Sequence, residues 1–351
     1  MKPPSHGAIE RSFLPNTHFC VYVTAPGGVI VKQTRFAGFV LEIFIVIPGY
    51  WLQQAINSLV LASFYVTLAT AYALLQGITN RIILSFGDFA TYGAFAAVYA
   101  ALWALLDGED GIAVMAIALF SGMGAAAALG RLSHALVFAP IIRAPSQAVM
   151  IASIGLSIVL QEVMRLQSDA RDQWLPPPFS SGIALAGGVF PVKIGYTQLA
   201  VIATAISAIA GLLAMMRYSA VGRLWRATSQ NALLAQLSGV NTGAVFQWSF
   251  VAASMLASIA GWAIAVAYGG VSFAMGLVLG FKAMFAAIIG GFGTIGGAIA
   301  GGIFLAFVET VWTAAFPMAY RDVATFGIII LILTLKPEGL LGNERRRESE
   351  A

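Results

Sequence analysis

Residues 279–316 read LGFKAMFAAIIGGFGTIGGAIAGGIFLAFVETVWTAAF. Two charges, Lys282 and Glu309, interrupt a run that is otherwise apolar, small or weakly polar. About 20 apolar residues cross the ~30 Å hydrocarbon core of a bilayer as a helix, so this run belongs in lipid and is too long for one straight crossing. Its centre, Gly290-Gly291-Phe292-Gly293-Thr294-Ile295-Gly296-Gly297, predicts a break with a partial span before it. Glycine loses the most conformational freedom on entering a helix, and irregular backbone at membrane depth is tolerated only against protein or water.

The rest of the chain has the same character. Of 351 residues, 59% are hydrophobic and 10% charged, against about 25% charged in soluble domains. A chain this apolar has too little polar surface to face water. Further apolar segments lie near 53–77, 82–106, 111–129, 147–167, 197–216, 246–268 and 323–336. The predicted fold class is an all-α polytopic transmembrane bundle of about eight spans, its seventh region broken at the glycines. The expected organisation is an atypical N-terminal extension at 1–50, a membrane domain at 51–342 and a charged tail at 343–351. In the extension, residues 1–35 are polar and without periodicity, and Phe36–Ile47 is too short to span. An interfacial helix, an extra span, or sequence upstream of the true start all fit it; the last fits best, because the bundle's pattern begins only near Trp51.

Lysine and arginine gather on the cytoplasmic side of membrane proteins. With the C-terminus cytoplasmic, that side carries Arg81, Arg131, Arg143, Arg217, Arg223, Arg226, Lys336 and Arg345–Arg347, ten of the nineteen. The outer side carries five: Arg165, Arg171, Lys193, Lys282 and Arg321. The connector 168–196, stiffened by Pro176-Pro177-Pro178, then lies outside and is expected to cap the outer mouth or simply to join two spans.

Several function classes are excluded. The sequence has no G-x-x-x-x-G-K-[ST] phosphate loop and no G-x-S-x-G, H-E-x-x-H or kinase signature. One cysteine and three scattered histidines offer no metal spacing, and no basic stripe with aromatics points to nucleic acid. Any energy source must therefore be an ion gradient or another protein. A charge inside a span costs at least ~2.5–3.5 kcal/mol, which directs attention to Asp88 in Ser85-Phe86-Gly87-Asp88-Phe89 of the second span. Glu162 and Arg165 share a helix face and can neutralise each other; Lys282 and Glu309 flank the seventh region. Snorkelling or pairing is the ordinary reading of those four. Gly293, Gly297 and Gly301 have the small-xxx-small spacing of closely packed helices.

Residues 217–245 are basic at the start and helical in pattern. Leu224, Ala227, Leu233, Leu234 and Leu237 can line one side of two short helices, and Gly239 with Asn241 would end the second. Such a pair points to docking on another subunit, with packing against the bundle as the alternative.

At these residues the chain resembles the permease subunits of branched-chain amino-acid ABC importers, of the high-affinity Leu/Ile/Val type. The resemblance runs from about Trp51 to Gly342 and rests on seven motifs in family order. Phe86-Gly87-Asp88-Phe89 followed by Gly93-Ala94-Phe95 echoes the second-span pattern N-F-A-H-G-E-F-x-x-x-G-A-Y, without its Asn and His. Ile151-Ala152-Ser153-Ile154-Gly155-Leu156-Ser157 with Leu160-Gln161 is similar to I-A-T-I-G-L-S-x-x-L-Q. Gly222-Arg223, Arg226-Ala227 and Gln230 resemble the coupling-loop pattern G-R-x-x-R-A-x-x-Q. Tyr268–Gly276, Gly280–Ala283, Ile289–Ala298 and Pro337–Gly342 carry the remaining four. The family's E-A-A before its loop glycine is here Leu233-Leu234-Ala235, so the acid is missing.

The resemblance implies a permease with no cofactor of its own, ATP-Mg being bound by two partner ATPases. Further implied partners are a second permease subunit, a periplasmic solute-binding protein and the lipid of the bacterial inner membrane. The implied ATPase-coupling residues are Gly222, Arg223, Arg226, Ala227, Gln230, Ala235, Gly239 and Asn241. The implied translocation pathway takes in Phe86, Gly87, Asp88, Gly155, Ser157, Lys282 and Glu309, and helix packing falls to Gly290, Gly291, Gly293, Gly297 and Gly301. The solute would be a branched-chain amino acid or a related small polar solute, since urea and amide importers share the family. The rivals are a proton- or sodium-coupled carrier using Asp88 and Glu309, and a passive small-solute channel.

Overall fold

The computed structural model describes residues 18–25, 28–35, 48–109, 111–141, 144–176, 182–186, 192–291, 293–336 and 339. The expectations for Phe36–Ile47 and for the tail 343–351 lie outside them.

Eight helices are long and apolar enough to cross a membrane. They are α1 (Pro48–Thr79), α2 (Phe86–Leu106), α3 (Gly111–Ile141), α4 (Ser146–Gln167), α5 (Tyr196–Tyr218), α8 (Thr242–Tyr268), α10 (Ile295–Ala315) and α11 (Arg321–Leu335, preceded by a short 3₁₀ turn). Between them come α6 (Ala220–Gln230), α7 (Ala232–Leu237) and the shorter apolar α9 (Met275–Gly290). The expected spans are all present. The third runs twelve residues beyond its expected end at 129, through a π turn at His134–Phe138; Arg131 and His134 mark where hydropathy falls, but backbone hydrogen bonding continues past them.

The all-α expectation holds for the bundle; outside its helices, three two-stranded sheets form in the connecting segments. In the extension, β1 (His18–Ala25) pairs antiparallel with β2 (Gly28–Arg35), from His18↔Arg35 to Ala25↔Gly28. β3 (Gln173–Trp174) pairs with β6 (Gly270–Val271), and β4 (Gly182–Ala186) with β5 (Val192–Gly195). The connector 168–196 is therefore fastened at several points. The Leu175 N–H donates to the Gly269 carbonyl at 2.9 Å, and the Lys193 N–H donates to Gln53 Oε1 at 3.0 Å.

The core is helix on helix with very little side chain between. α1, α2, α8 and α10 form its centre; Leu68, Ala69, Leu74, Phe89, Ala90, Phe250, Ala257 and Ala306 are at most 0% exposed. Close approach depends on glycine. A Cβ on Gly87 would strike the backbone of Gly276 and Gly280, and one on Gly261 would strike the Ala90 carbonyl.

The broken seventh region is a helical hairpin. Gly290 packs against the Gly297 carbonyl and Gly301 against the Ala286 carbonyl, so α9 and α10 run antiparallel. Gly291 and Gly293, at φ 126° and 76°, make the turn, a conformation that side-chain-bearing residues rarely adopt. Gly293 thus lies in the break and not on the packed helical face that the small-xxx-small spacing assigned it; Gly297 and Gly301 do lie there. A valine at Gly301 is expected to force these backbones apart and cost at least ~1–3 kcal/mol, whereas a valine at Gly296, which has open space around it, should be tolerated. Melting curves of the two variants in detergent compare them directly.

Candidate functional site

Three groups of residues stand out, two buried and one on the surface.

The first surrounds Asp88. Asp88 lies in the first turn of α2, within the second span as expected, and it is fully buried. A carboxylate there offsets the positive end of the helix dipole. The Ser157 hydroxyl donates to Asp88 Oδ2, and Gln161 Nε2 donates to Asp88 Oδ1 at 2.9 Å. One turn earlier on α4, Ser153 Oγ accepts from the Leu84 N–H at 3.1 Å. Ser153, Ser157 and Gln161 are spaced four apart, so they form one polar stripe on an otherwise apolar helix. That stripe is the signal by which Gln161 and Ser153 could have been recognised as site residues. Phe86 stacks on Phe89, with ring centroids 5.2 Å apart, and Gly87 brings α2 onto α9. Gly155 does not join this group: it lies on the exposed face of α4, with open space around it.

The second group neutralises the charges of the hairpin. Lys282 on α9 and Glu309 on α10 are both nearly fully buried and lie 3.1 Å apart. Lys282 Nζ also donates to Asp322 Oδ1 at 2.7 Å, and Arg321 Nε reaches Glu309 Oε1 at 3.0 Å. The Tyr65 hydroxyl of α1 donates to Glu309 Oε2 at 2.6 Å. Two cations and two anions close a neutral network that joins four helices. Sequence reading placed Lys282 and Glu309 but missed Tyr65, Arg321 and Asp322. Their roles depend on antiparallel packing of α9, α10 and α11, which no local pattern encodes. Glu162 and Arg165 pair as expected, at 2.5 Å on an exposed face.

The third group is the α6–α7 pair, which lies where α1 ends and the α9–α10 turn approaches. α6 buries Gly222, Trp225 and Thr228. Gly222 sits against the Met216 backbone, the Trp225 indole fills the space beside Gly77, and its Nε1–H donates to the Leu74 carbonyl at 3.2 Å. Arg226 Nη1 donates to the Met216 carbonyl. The leucines expected to line one apolar side do not face the bundle: Leu224 is 40% exposed, Leu233 66%, Leu234 59% and Leu237 77%. Arg223, Ala227 and Gln230 are exposed with them, and Ala235 is buried. Asn231 caps α7, accepting from Leu233 N and Leu234 N at 3.0 Å. Gly239, at φ 87°, ends the pair. Asn241 belongs to the next element instead, capping α8 by accepting from Ala244 N at 3.1 Å.

Among the described residues no group of three or more His, Cys, Asp or Glu could hold a metal ion.

Comparison with known proteins gives a consistent result. Residues 54–333 match the family described as branched-chain amino acid transport system / permease component. The high-affinity branched-chain amino acid transport system permease protein BraD of Pseudomonas aeruginosa is 30% identical over 84% of this chain and 96% of its own length. The permease protein LivH of the corresponding system of Escherichia coli is 30% identical over the same shares. LivH of Salmonella typhimurium is 31% identical, again over 84% of this chain and 96% of its own.

The charge network makes a clear prediction. Lys282→Met leaves Glu309 with less compensation in the core and should cost about 3–5 kcal/mol. Lys282→Met combined with Glu309→Met should cost distinctly less than the two single changes added together. A double-mutant cycle on thermal unfolding of the purified protein measures the coupling.

Proposed function

This chain belongs to the family of branched-chain amino acid transport system permease components, and from that premise we propose that it is the membrane-spanning subunit of an ABC importer. It carries branched-chain amino acids, or a related small polar solute, inward across the bacterial inner membrane. Two partner ATPases bind ATP-Mg and hydrolyse it, a second permease subunit completes the channel, and a periplasmic binding protein delivers the solute. The chain itself is not the enzyme of the assembly.

The observation that carries this reading is the α6–α7 pair. Four exposed leucines, Leu224, Leu233, Leu234 and Leu237, stand on a short basic segment. Their only covalent neighbours are two long apolar helices, and the bundle is packed on the opposite side through Gly222, Trp225 and Thr228. Large exposed apolar side chains grouped on one short segment are a mark of a protein interface. Trp225 ties the segment rigidly to α1, so a push on the leucines is transmitted to the long central helix and not absorbed in a loop. The ends of α1 and α9, the residues Arg81, Arg217, Arg223, Arg226 and Lys336, and the α6–α7 pair define the cytoplasmic end of the molecule in this reading. The connector 168–196, fastened to α1 and to the end of α8, faces the binding protein.

In such a machine ATP contributes only through contacts that differ between two states of the bundle. Gly222, Arg223, Arg226, Ala227, Gln230, Ala235, Gly239 and Asn241 form the coupling segment. Phe86, Gly87, Asp88, Ser157, Lys282 and Glu309 belong to the helices that move, and Gly290, Gly291, Gly297 and Gly301 keep the hairpin in one piece as it does so. The acid missing at Leu233-Leu234-Ala235 makes the contact with the ATPase predominantly apolar.

Leu234→Asp with Leu237→Asp is therefore expected to lower co-purification of the ATPase at least tenfold while insertion and melting temperature stay unchanged. Gly239→Val, at a backbone conformation that a β-branched residue resists, should leave ATPase activity but lower uptake in vesicles. Full ATPase recovery with the double aspartate variant would falsify the docking role of this surface.

A further inference from the structure

We propose that Asp88 receives the ammonium group of the amino acid in transit. The inference rests on the permease reading above and assigns a chemical role to one of its pathway residues.

Asp88 is fully buried, and the groups bonded to it, Ser157 and Gln161, are neutral. Among the described residues the ion pairs are Glu162–Arg165 and the group formed by Lys282, Glu309, Arg321 and Asp322; Asp88 is in neither. A lone charge removed from water is costly unless it is paired. A carboxylate also has about four acceptor positions, of which Ser157 and Gln161 occupy two.

Unused acceptor capacity is concentrated in this turn. Ser85 stands three residues earlier, its hydroxyl buried with no hydrogen-bond partner. Its carbonyl accepts from the Asp88 N–H at 3.0 Å, which fixes the two residues in one turn. Thr91 donates its hydroxyl proton to the Gly87 carbonyl at 3.2 Å, which leaves its oxygen free to accept. Asp88 Oδ1 and Thr91 Oγ1 face the same spot: a Cβ built on Gly276 would lie 2.5 Å from the first and 2.6 Å from the second. The main chain of Gly276 therefore lies directly against the carboxylate, with no side chain between them.

The backbone around the group is discontinuous. α2 starts at Phe86 after a non-helical stretch, and α9 starts at Met275 after another. Helices that begin within a membrane bundle and meet there are a recurrent way of building solute sites in transporters. A primary ammonium has three N–H donors, no acceptor and one positive charge. It supplies the charge Asp88 lacks and donors for Ser85 and Thr91. A neutral amide solute supplies donors but no charge. In the state described here the group is closed to solvent, so the ammonium reaches it when α2 and α4 separate.

Two probes separate the ends of the solute: 3-methylbutylamine, which is leucine without its carboxylate, and 4-methylpentanoate, which is leucine without its amino group. In the purified permease–ATPase complex without binding protein, the amine should raise the melting temperature and the acid should not. Asp88→Asn should abolish the amine's effect. In proteoliposomes with the binding protein and ATP, Asp88→Asn should lower leucine import tenfold or more, and Asp88→Glu, which places the family's acid here, should recover most of it. Equal shifts by amine and acid, or import by the Asp88→Asn complex within twofold of the unmodified one, overturns the ammonium role and leaves the permease reading standing. If Asp88→Asn does not assemble, the two probes on the unmodified complex still decide. Absence of ATP-dependent leucine import by the unmodified complex overturns both.

Discussion

Lipid supplies no hydrogen bonds, and that constraint governs the whole structure: every charge and every break in a helix has to be covered by another part of the protein. Contact between backbones provides the cover. Gly87 against Gly276 and Gly280, Gly290 against Gly297, and Gly301 against Ala286 bring main chains together with no side chain between them. The starts of α2 and α9 and the turn between α9 and α10 are thereby shielded. The same proximity lets short polar side chains reach across helices, as Ser157 does to Asp88 and Tyr65 to Glu309.

These contacts link the surface to the interior along α1. Trp225 of α6 is bonded to α1 at Leu74. Two to three turns away on the same helix, Tyr65 holds Glu309, and Glu309 holds Lys282 and Arg321. A displacement of the α6–α7 pair therefore acts on a helix already bonded to the charge network of α9, α10 and α11. Packed interfaces of this sort have discrete arrangements instead of deforming smoothly, which suits the proposed role of a channel open to one side at a time.

The sequence made some of this legible and left some of it hidden, for identifiable reasons. Spans were readable because lipid demands long apolar runs, and the break at Gly290–Gly297 because five glycines in eight residues cannot be an ordinary helix. Glu162 with Arg165, three apart on one helix, needed only local geometry. The partners of Lys282 and Glu309 did not emerge, because Tyr65 precedes them by more than 200 residues and meets them only after packing. The leucines of α6–α7 were legible as an apolar group turned away from the bundle, but Trp225 and Gly222, which make the inward face, were not singled out for it. The hairpin of β1 and β2 was missed although Val29, Ile30 and Val31 favour strands and Pro26-Gly27 marks a turn. Polar residues on both sides of that segment masked its pattern.

A pore without an engine of its own is the central claim, and it can be tested with the chain by itself. The purified protein is reconstituted in sealed liposomes with labelled leucine outside, first under an imposed proton or sodium gradient without nucleotide, then with the proposed partner subunits and ATP. Leucine should not concentrate inside in the first condition and should do so in the second. Accumulation against the leucine gradient by the chain alone would contradict the account.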